Sequence, residues 1–541
     1  MQVTIDGQTV AVSEGMSVLD AARSAGIHIP TLCYQEDLPP QSSCFLCAVR
    51  IEGFPTLQPS CAAPVRDGMV ITTNSEEVTN AHRTALELLF SDHAGMCVAP
   101  CSVACPAHLD VPGFLTPMKS GDLDEATRVL RTALPLPAVL GAVCPAYCEN
   151  PCVRKDVDKQ SVAIRLMHRH LAEEDLKAEK FVFPPKAEST GKRVAVLGSG
   201  PTGLSAAWFL LAAGHQAVVF ETEPKPGGIL RDVPPTELSP EILDAEINGI
   251  RRYGAGFQCD WQPRGGILDE LEKDFDLVLV TVDAESKIGR LLPEDLPDSP
   301  ANLKDGKTVA VGEKAAKPQH TVRAVATARD AVAMADQFLR GEQVSKPGRP
   351  FYFKADTHEQ EMERTIENAV KHDRVEPAIS NHDQSDEGSG LSEKVREKRD
   401  KEGYRGLEEV NADQARQESE RCLECSCDAR NDCRLRDYGA QFGIKPHRFK
   451  GERRLTEQDH GHPEIVYDPG KCILCGLCLR IAEKHGERPG LSFIGRGFPT
   501  RVAVPLARGW ADTLKKAARE CATSCPTAAL MLKDTKEEAA K

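Results

Sequence analysis

Twenty cysteines are the residues best able to do chemistry in this chain of 541, and nineteen of them fall in short groups. Cys259 stands apart and reads as an ordinary core thiol. Cys33, Cys44, Cys47 and Cys61 are separated by ten, two and thirteen residues. Cys97, Cys101 and Cys105 precede Cys144, Cys148 and Cys152, and Cys422, Cys425, Cys427 and Cys433 share a stretch of twelve residues. Cys472, Cys475 and Cys478 form a C-x2-C-x2-C run, followed later by Cys521 and by Cys525 immediately before Pro526. The start, MQVTIDGQTV, carries neither the basic region nor the apolar run of an export signal, so a reducing cytoplasmic setting is expected and disulfides are not. Metal ligation is then the natural role of clustered thiols.

The spacings differ in the metal they suit. Four thiolates on loops, as at Cys33 to Cys61, are what a 2Fe-2S cluster needs, whereas structural zinc usually sits between two C-x-x-C knuckles and only one is present here. The bacterial four-iron run is C-x2-C-x2-C-x3-C-P, and Ala482 occupies its fourth cysteine place. One 4Fe-4S cluster on Cys472, Cys475, Cys478 and Cys525 is the simple expectation. That leaves Cys521 as a spare thiol, or as a replacement for Cys427 in the preceding group. Cys422, Cys425, Cys427 and Cys433 could enclose one four-iron cluster or one zinc, and the electron-transfer character of the neighbouring groups favours iron.

A second kind of chemistry is written in KRVAVLGSGPTGLSAAWFLLAAGHQAVVFETEPKPGGIL. Gly198, Gly200 and Gly203 lie between a strand and a helix, and Glu221 ends the next strand. Such glycines let the backbone approach a pyrophosphate at a helix N-terminus, and the acid can hold a ribose. A Rossmann dinucleotide site is expected.

The elements that must position these groups follow from local pattern. Val3–Ile5, the Asp6-Gly7 turn and Thr9–Val12 read as a hairpin, and Ser17 with Asp20 caps a helix that Gly26 closes. Residues 1–78 are therefore expected to form a small β-grasp domain. Residues 79–186 lack strand alternation and read as a helical cluster domain, 187–342 as the Rossmann-like domain, 343–420 as a charged linker, and 421–541 as a ferredoxin-like domain. The expected fold class is multidomain α+β and α/β. A net charge of −14 gives no electrostatic case for nucleic acid, and the most apolar stretch, Val194 to Phe220, is too rich in glycine to read as a membrane span.

Three resemblances sharpen these readings. PTLCYQEDLPPQSSCFLCAVRIEGFPTLQPSCAAPV resembles the two-iron ferredoxin domain of the large iron-sulfur subunit of NADH dehydrogenase and of related hydrogenases, with Phe45 and Leu46 where that family carries Arg and Gly. HAGMCVAPCSVACPAHLDVPGF and GAVCPAYCENPCVRKDVDKQSVAIRLMHRHL are similar to the amino-terminal domain of glutamate synthase small subunits and of dihydropyrimidine dehydrogenase. That likeness implies two four-iron clusters in a helical domain, one on Cys97, Cys101 and Cys152, the other on Cys105, Cys144 and Cys148. His93 and His168 stand where the two remaining ligands would be, and the NADH dehydrogenase family also places a ligating His shortly before three cysteines. Pro226-Gly227-Gly228 resembles the flavin domain of the glutamate synthase small subunit, which implies FAD, with Gly228 in the binding turn and Gly312 and Glu313 in place of a late Gly-Asp pair. Asp283 stands where that family has Gly. The family also inserts a second Rossmann domain for NADPH, but only about two dozen residues separate the corresponding segments here, so no direct NADPH site is expected.

The expectation is an iron-sulfur flavoprotein with one 2Fe-2S cluster, about four 4Fe-4S clusters and FAD. It would serve as an electron-transfer subunit, with other subunits of a redox complex of the hydrogenase, formate dehydrogenase or NADH dehydrogenase type as partners. A stand-alone flavin oxidoreductase of the glutamate synthase small-subunit type and a zinc-bound scaffold are the alternatives. No side chain has a constellation around it that marks a catalytic acid, base or nucleophile.

Overall fold

Asp6 and Gly7 both adopt left-handed backbone, with φ of 49° and 85°, and fold Gln2–Ile5 antiparallel onto Gln8–Ala11. This hairpin opens a mixed five-stranded sheet whose order runs Gln8–Ala11, Gln2–Ile5, Val70–Thr72, Ala48–Ile51, Gln58–Pro59. Alternation along the strands sends Val3, Ile5, Val10, Val49, Ile51 and Ile71 to one side, where they meet Val18, Leu19 and Ala22 of the helix Val18–Ser24. Ser17 and Asp20 form the capping box expected of that helix.

This computed structural model describes residues 1–178, 180–282, 286–293, 296–297, 307–311, 321–348, 351–355, 365–375, 410–427, 432–449 and 457–533. The chain divides into two units that are not consecutive in sequence. The first comprises Met1–Val98, Pro350–Arg364 and Ser426–Lys541, and the second Ala99–Arg349 and Thr365–Cys425. The expected boundary at residue 78 falls inside the helix Glu76–Ser91, whose Val78, Leu86 and Phe90 are buried. The expected 79–186 domain is instead cut after Val98, and the expected 421–541 domain is cut after Cys425. Part of the expected linker, 376–409, lies outside the described residues, but Phe353 is fully buried and Ala412–Glu420 is a helix with a complete capping box.

In the first unit the later residues add the antiparallel pairs Ile465–Tyr467 with Leu530–Leu532 and Ser492–Ile494 with Arg501–Ala503. The helices Leu477–Lys484 and Ala518–Ser524 pack on each other, and Leu477, Ile481, Ala518 and Ala522 lie in one apolar core with Leu32, Leu46 and Phe90.

The second unit is built on a parallel sheet in the order Thr308–Ala310, Leu277–Val280, Arg193–Leu197, Gln216–Phe220, Gly256–Gln258. Leu277, Val278, Leu279 and Val280 are all buried, as a strand covered on both faces requires. Helices Pro201–Ala212 and Thr321–Leu339 pack together beside it. The helical remainder includes Leu123–Ala133, Pro137–Val143 and Ile164–Lys177. A buried charge network ties these helices to the Rossmann part. Arg131 donates to Asp175 and to Glu246, each at 3.0 Å, Glu246 also accepts from the Ala138 N–H at 2.7 Å, and the Trp208 indole donates to the Arg131 carbonyl.

Removing one partner of a fully buried ion pair strands the other charge without solvent. Glu246→Ala is therefore expected to destabilise the second unit by about 3–5 kcal/mol, read as a shift of its denaturant midpoint at unchanged slope.

Candidate metal centres and dinucleotide site

The four cysteines of the first group are buried as two pairs. Cys33 is hydrogen-bonded to Cys44, and this bond holds Cys33 well below the usual thiol range while Cys44 is raised. Cys47 is bonded in the same way to Cys61, whose sulfur also lies 3.3 Å from the Ser42 hydroxyl. Two thiol pairs fit two irons bridged by sulfide, two ligands to each. Ser42 and Phe45 turn the loop through left-handed conformations, at φ 53° and 52°.

The next cysteines are regrouped by the structure. Cys97 does not join Cys101 and Cys152. Burial pushes its thiol up to about 12, and after burial the sulfurs of Cys433 and Cys427 raise it most. All three lie in the first unit, where Phe90, Phe353 and Cys433 share a core with Cys97 and the Cys97 N–H donates to the Phe353 carbonyl at 3.0 Å. His93 is buried in the same shell, its ring 5.6 Å from Phe90 and 6.1 Å from Phe353 between centroids. The expected single set of Cys422, Cys425, Cys427 and Cys433 is thus divided between the two units.

In the second unit Cys101, Cys152, Cys422 and Cys425 line one cavity of about 350 Å³, walled by Val111, Leu115, Val162 and Ile164. Charged side chains set this arrangement. Arg154, two residues after Cys152, donates to the Arg421 carbonyl at 3.2 Å, just before Cys422. Arg421 pairs in turn with Glu418 at 2.7 Å, and Glu418 accepts from the Ala163 and Val375 N–H groups. Cys105, Cys144 and Cys148 lie close together, the sulfurs of Cys105, Cys144 and Cys101 all acting on the buried Cys148 thiol and that of Cys105 acting on Cys144. His168 is buried on the helix Ile164–Lys177. Burial drives its imidazole down to about 3, and its polar contact is the Pro137 carbonyl, with Nδ1 buried and unpartnered.

The last group is assembled as the spacing suggests. Cys472, Cys475, Cys478 and Cys525 line a second cavity of about 370 Å³. Cys521 lines it as well, with its thiol 3.6 Å from the Cys478 carbonyl, so it does not complete the Cys422 group.

Local backbone is alike in four of the five sets. A non-glycine residue in left-handed conformation lies between ligand cysteines at Phe45, Ala146, Glu424 and Leu474, with φ of 52°, 54°, 47° and 53°. Such residues cost about 1–3 kcal/mol each and collect where a loop must wrap a bound group. The cysteines of two sets line cavities whose other walls are mostly apolar.

The glycine loop is formed as expected. Gly198 is left-handed at φ 102°, and a Cβ on Gly203 would sit 2.0 Å from the Gly198 carbonyl oxygen. Space beside Gly200 is open at the N-terminus of the helix Pro201–Ala212. A Cβ on Gly228 would lie 2.8 Å from the Gly200 Cα. Glu221 has a duty beyond ribose binding, since its carboxylate accepts from the Ser199 N–H at 3.2 Å, from the Ser199 hydroxyl, and from the Glu223 N–H at 3.0 Å. Ser199 in turn accepts from the Gly227 N–H at 2.9 Å, so Glu221 braces both glycine turns. Gly312, Glu313 and Asp283 lie outside the described residues.

Comparison with known proteins agrees with this inventory. The profile of a 2Fe-2S iron-sulfur cluster binding domain matches residues 1–76, that of dihydropyrimidine dehydrogenase domain II, a 4Fe-4S cluster domain, matches 72–180, and that of an NAD(P)-binding Rossmann-like domain matches 196–255. The chain is 34% identical over 218 residues to the NADP(+)-dependent formate dehydrogenase subunit beta of Moorella thermoacetica, covering 35% of this chain and 30% of that protein. It is 32% identical over 203 residues to the NAD-dependent dihydropyrimidine dehydrogenase subunit PreT of Salmonella typhimurium, covering 36% and 49%. It is 52% identical over 103 residues to the NADP-reducing hydrogenase subunit HndD of Solidesulfovibrio fructosivorans, covering 18% of each chain. The matched stretches span less than half the length of each of these three relatives. The chain carries 2Fe-2S and 4Fe-4S domains and a Rossmann-like domain of the FAD/NAD(P)-binding kind. Among the described residues no helix is long and apolar enough to cross a membrane.

Contiguity in sequence hid the split ligand set. Cys97 and Cys427 are separated in sequence by the whole of the second unit and by Pro350–Arg364 of the first, while Cys433 stands six residues after Cys427. The grouping is testable by paired substitutions. Cys97→Ser and Cys427→Ser are each expected to remove the same four-iron signal, and the double variant no more than either alone. Cys97→Ser with Cys422→Ser should lose two centres, read by iron content and EPR. Gly203→Ala is expected to abolish dinucleotide retention at unchanged iron content, read by the flavin absorbance of purified protein.

Proposed function

We propose that this protein is an electron-transfer subunit of a larger cytoplasmic oxidoreductase, passing single electrons among one two-iron centre, four four-iron centres and one FAD. The observation that supports it most directly is the sorting of eighteen cysteines into five buried or half-buried sets with no disulfide among them. The ligand sets would be Cys33, Cys44, Cys47 and Cys61 for the two-iron centre. Cys97, Cys427 and Cys433 with His93 would hold one four-iron centre, and Cys101, Cys152, Cys422 and Cys425 another. Cys105, Cys144 and Cys148 would hold a third, with a fourth position outside the cysteines, and Cys472, Cys475, Cys478 and Cys525 the last.

Bound clusters supply one-electron centres, and a bound flavin supplies the exchange between two-electron and one-electron chemistry. The chain's own part is to bury these centres, fix their ligands and brace the glycine turns. We read the first sheet as a β-grasp and the last segment as ferredoxin-like. The dinucleotide pocket is assigned to FAD through Gly198, Gly200, Gly203, Gly228 and Glu221, with Gly312 and Glu313 in the late Gly-Asp position. Relatives named as subunits of formate dehydrogenase and of hydrogenase support a partner of that kind.

Anaerobically purified protein is expected to contain iron and labile sulfide in near-equal amounts together with FAD, and to give several EPR signals after dithionite. NADPH alone should leave its flavin oxidised. Zinc without labile sulfide would overturn the reading, and bleaching of the flavin by NADPH would favour a stand-alone oxidoreductase.

A further inference from the structure

The two-iron loop and the C-terminal four-iron loop meet on one side chain. Arg480 lies on the helix Leu477–Lys484, four residues after the left-handed Gly476, and it is part-buried within the first unit. Its Nη2 donates to the Cys33 carbonyl at 3.0 Å and also faces the Cys475 carbonyl at 3.3 Å. Nη1 donates to the Pro39 carbonyl and Nε to the Gly476 carbonyl at 3.2 Å. All four acceptors are backbone oxygens, so no carboxylate offsets the guanidinium charge through these bonds. Cys33 and Cys475 share one apolar core with Leu32, Leu38, Leu46 and Leu477, and the Cys33 charge reaches the Cys475 thiol.

We propose that Arg480 is the positioning residue that couples the two-iron centre to the C-terminal four-iron centre. A single nitrogen joins the backbone carbonyls of one ligand from each set. The bonded route from sulfur to sulfur therefore runs through two peptide carbonyls and one guanidinium nitrogen. The exchange it serves moves one electron, oxidising one centre and reducing the other, with no covalent bond made or broken. A fixed positive charge beside both ligand loops stabilises the reduced, more negative form of each centre, so it raises both reduction potentials. The same four bonds hold the loops of Cys33 and Cys475 at constant separation. Arginine is suited to this because its planar fork presents several donors at once and stays charged, where lysine offers a single point charge.

This inference rests on the cluster assignment above, and its test separates the two. Full-length Arg480→Met and Arg480→Lys proteins are to be purified anaerobically and assayed for iron and sulfide. The two-iron and C-terminal four-iron EPR signals are then followed through a redox titration. The expected result is wild-type metal content, a shift of both midpoint potentials to lower values in Arg480→Met, and loss of the magnetic interaction between the two reduced centres. Arg480→Lys should keep the potentials near wild type while losing that interaction. Unchanged potentials and unchanged interaction in Arg480→Met would overturn the proposal. If the methionine variant fails to retain its clusters, the lysine variant decides by its magnetic interaction alone, persistence at wild-type strength counting against the proposal. Wild-type protein lacking iron would instead sink the cluster assignment itself.

Discussion

A thiolate ligand must be buried, yet burial is what keeps a thiol protonated. Desolvation pushes Cys97, Cys144, Cys422 and Cys475 up to about 12, so burial works against the thiolate form that a metal requires. Binding of iron must therefore release protons and deliver its own stabilisation, and folding of each loop is linked to occupation of its site. Other features of the structure follow from that constraint. The ligand loops carry residues in left-handed conformation that no local interaction favours, and the segments around them are fastened from outside by arginines. Arg154 and Arg421 do so beside Cys152 and Cys422, Arg480 beside Cys33 and Cys475, and Arg165 donates to the Cys144 carbonyl at 3.0 Å. Arginine recurs because backbone carbonyls near a cluster need donors that remain charged and do not compete for the metal.

How far this could be read in advance depended on whether partners were near in sequence. Cys33 to Cys61 and Cys472 to Cys525 lie within single modules, and their spacing alone identified both sets. The glycine turns were legible for the same reason, since a strand, Gly198 to Gly203 and a helix are one local unit. The set of Cys97, Cys427 and Cys433 was not legible, because its halves are separated by Ala99–Cys425 and the proximity of Cys425 to Cys427 invited a false grouping. His168 is a different case, since its contact with the Pro137 carbonyl arises from helix packing that sequence pattern does not encode. Glu221 stood out by its place at the end of a strand, yet its bonds to Ser199 and Glu223 depend on side-chain geometry that pattern does not encode. Arg480 left no mark in the sequence, as its acceptors are carbonyls of residues more than 400 positions away as well as its own neighbours.

The insertion of one folded unit between two ligands of another raises a question of entropy. Closing a flexible loop of this length would cost on the order of 5 kcal/mol beyond a constant, set against the ordering of a single cluster site. The second unit removes most of that cost by its own construction. Its two ends carry Cys101 and Cys425, and these line the same cavity, held there by the Arg154, Glu418 and Arg421 bonds. A unit whose termini already converge can be inserted into a short loop of a host without spreading it, which is the general condition for tolerated domain insertion. The cavity that Cys101 and Cys425 share thus closes the ends of the second unit on each other, and the charge network beside Cys152 and Cys422 keeps it closed.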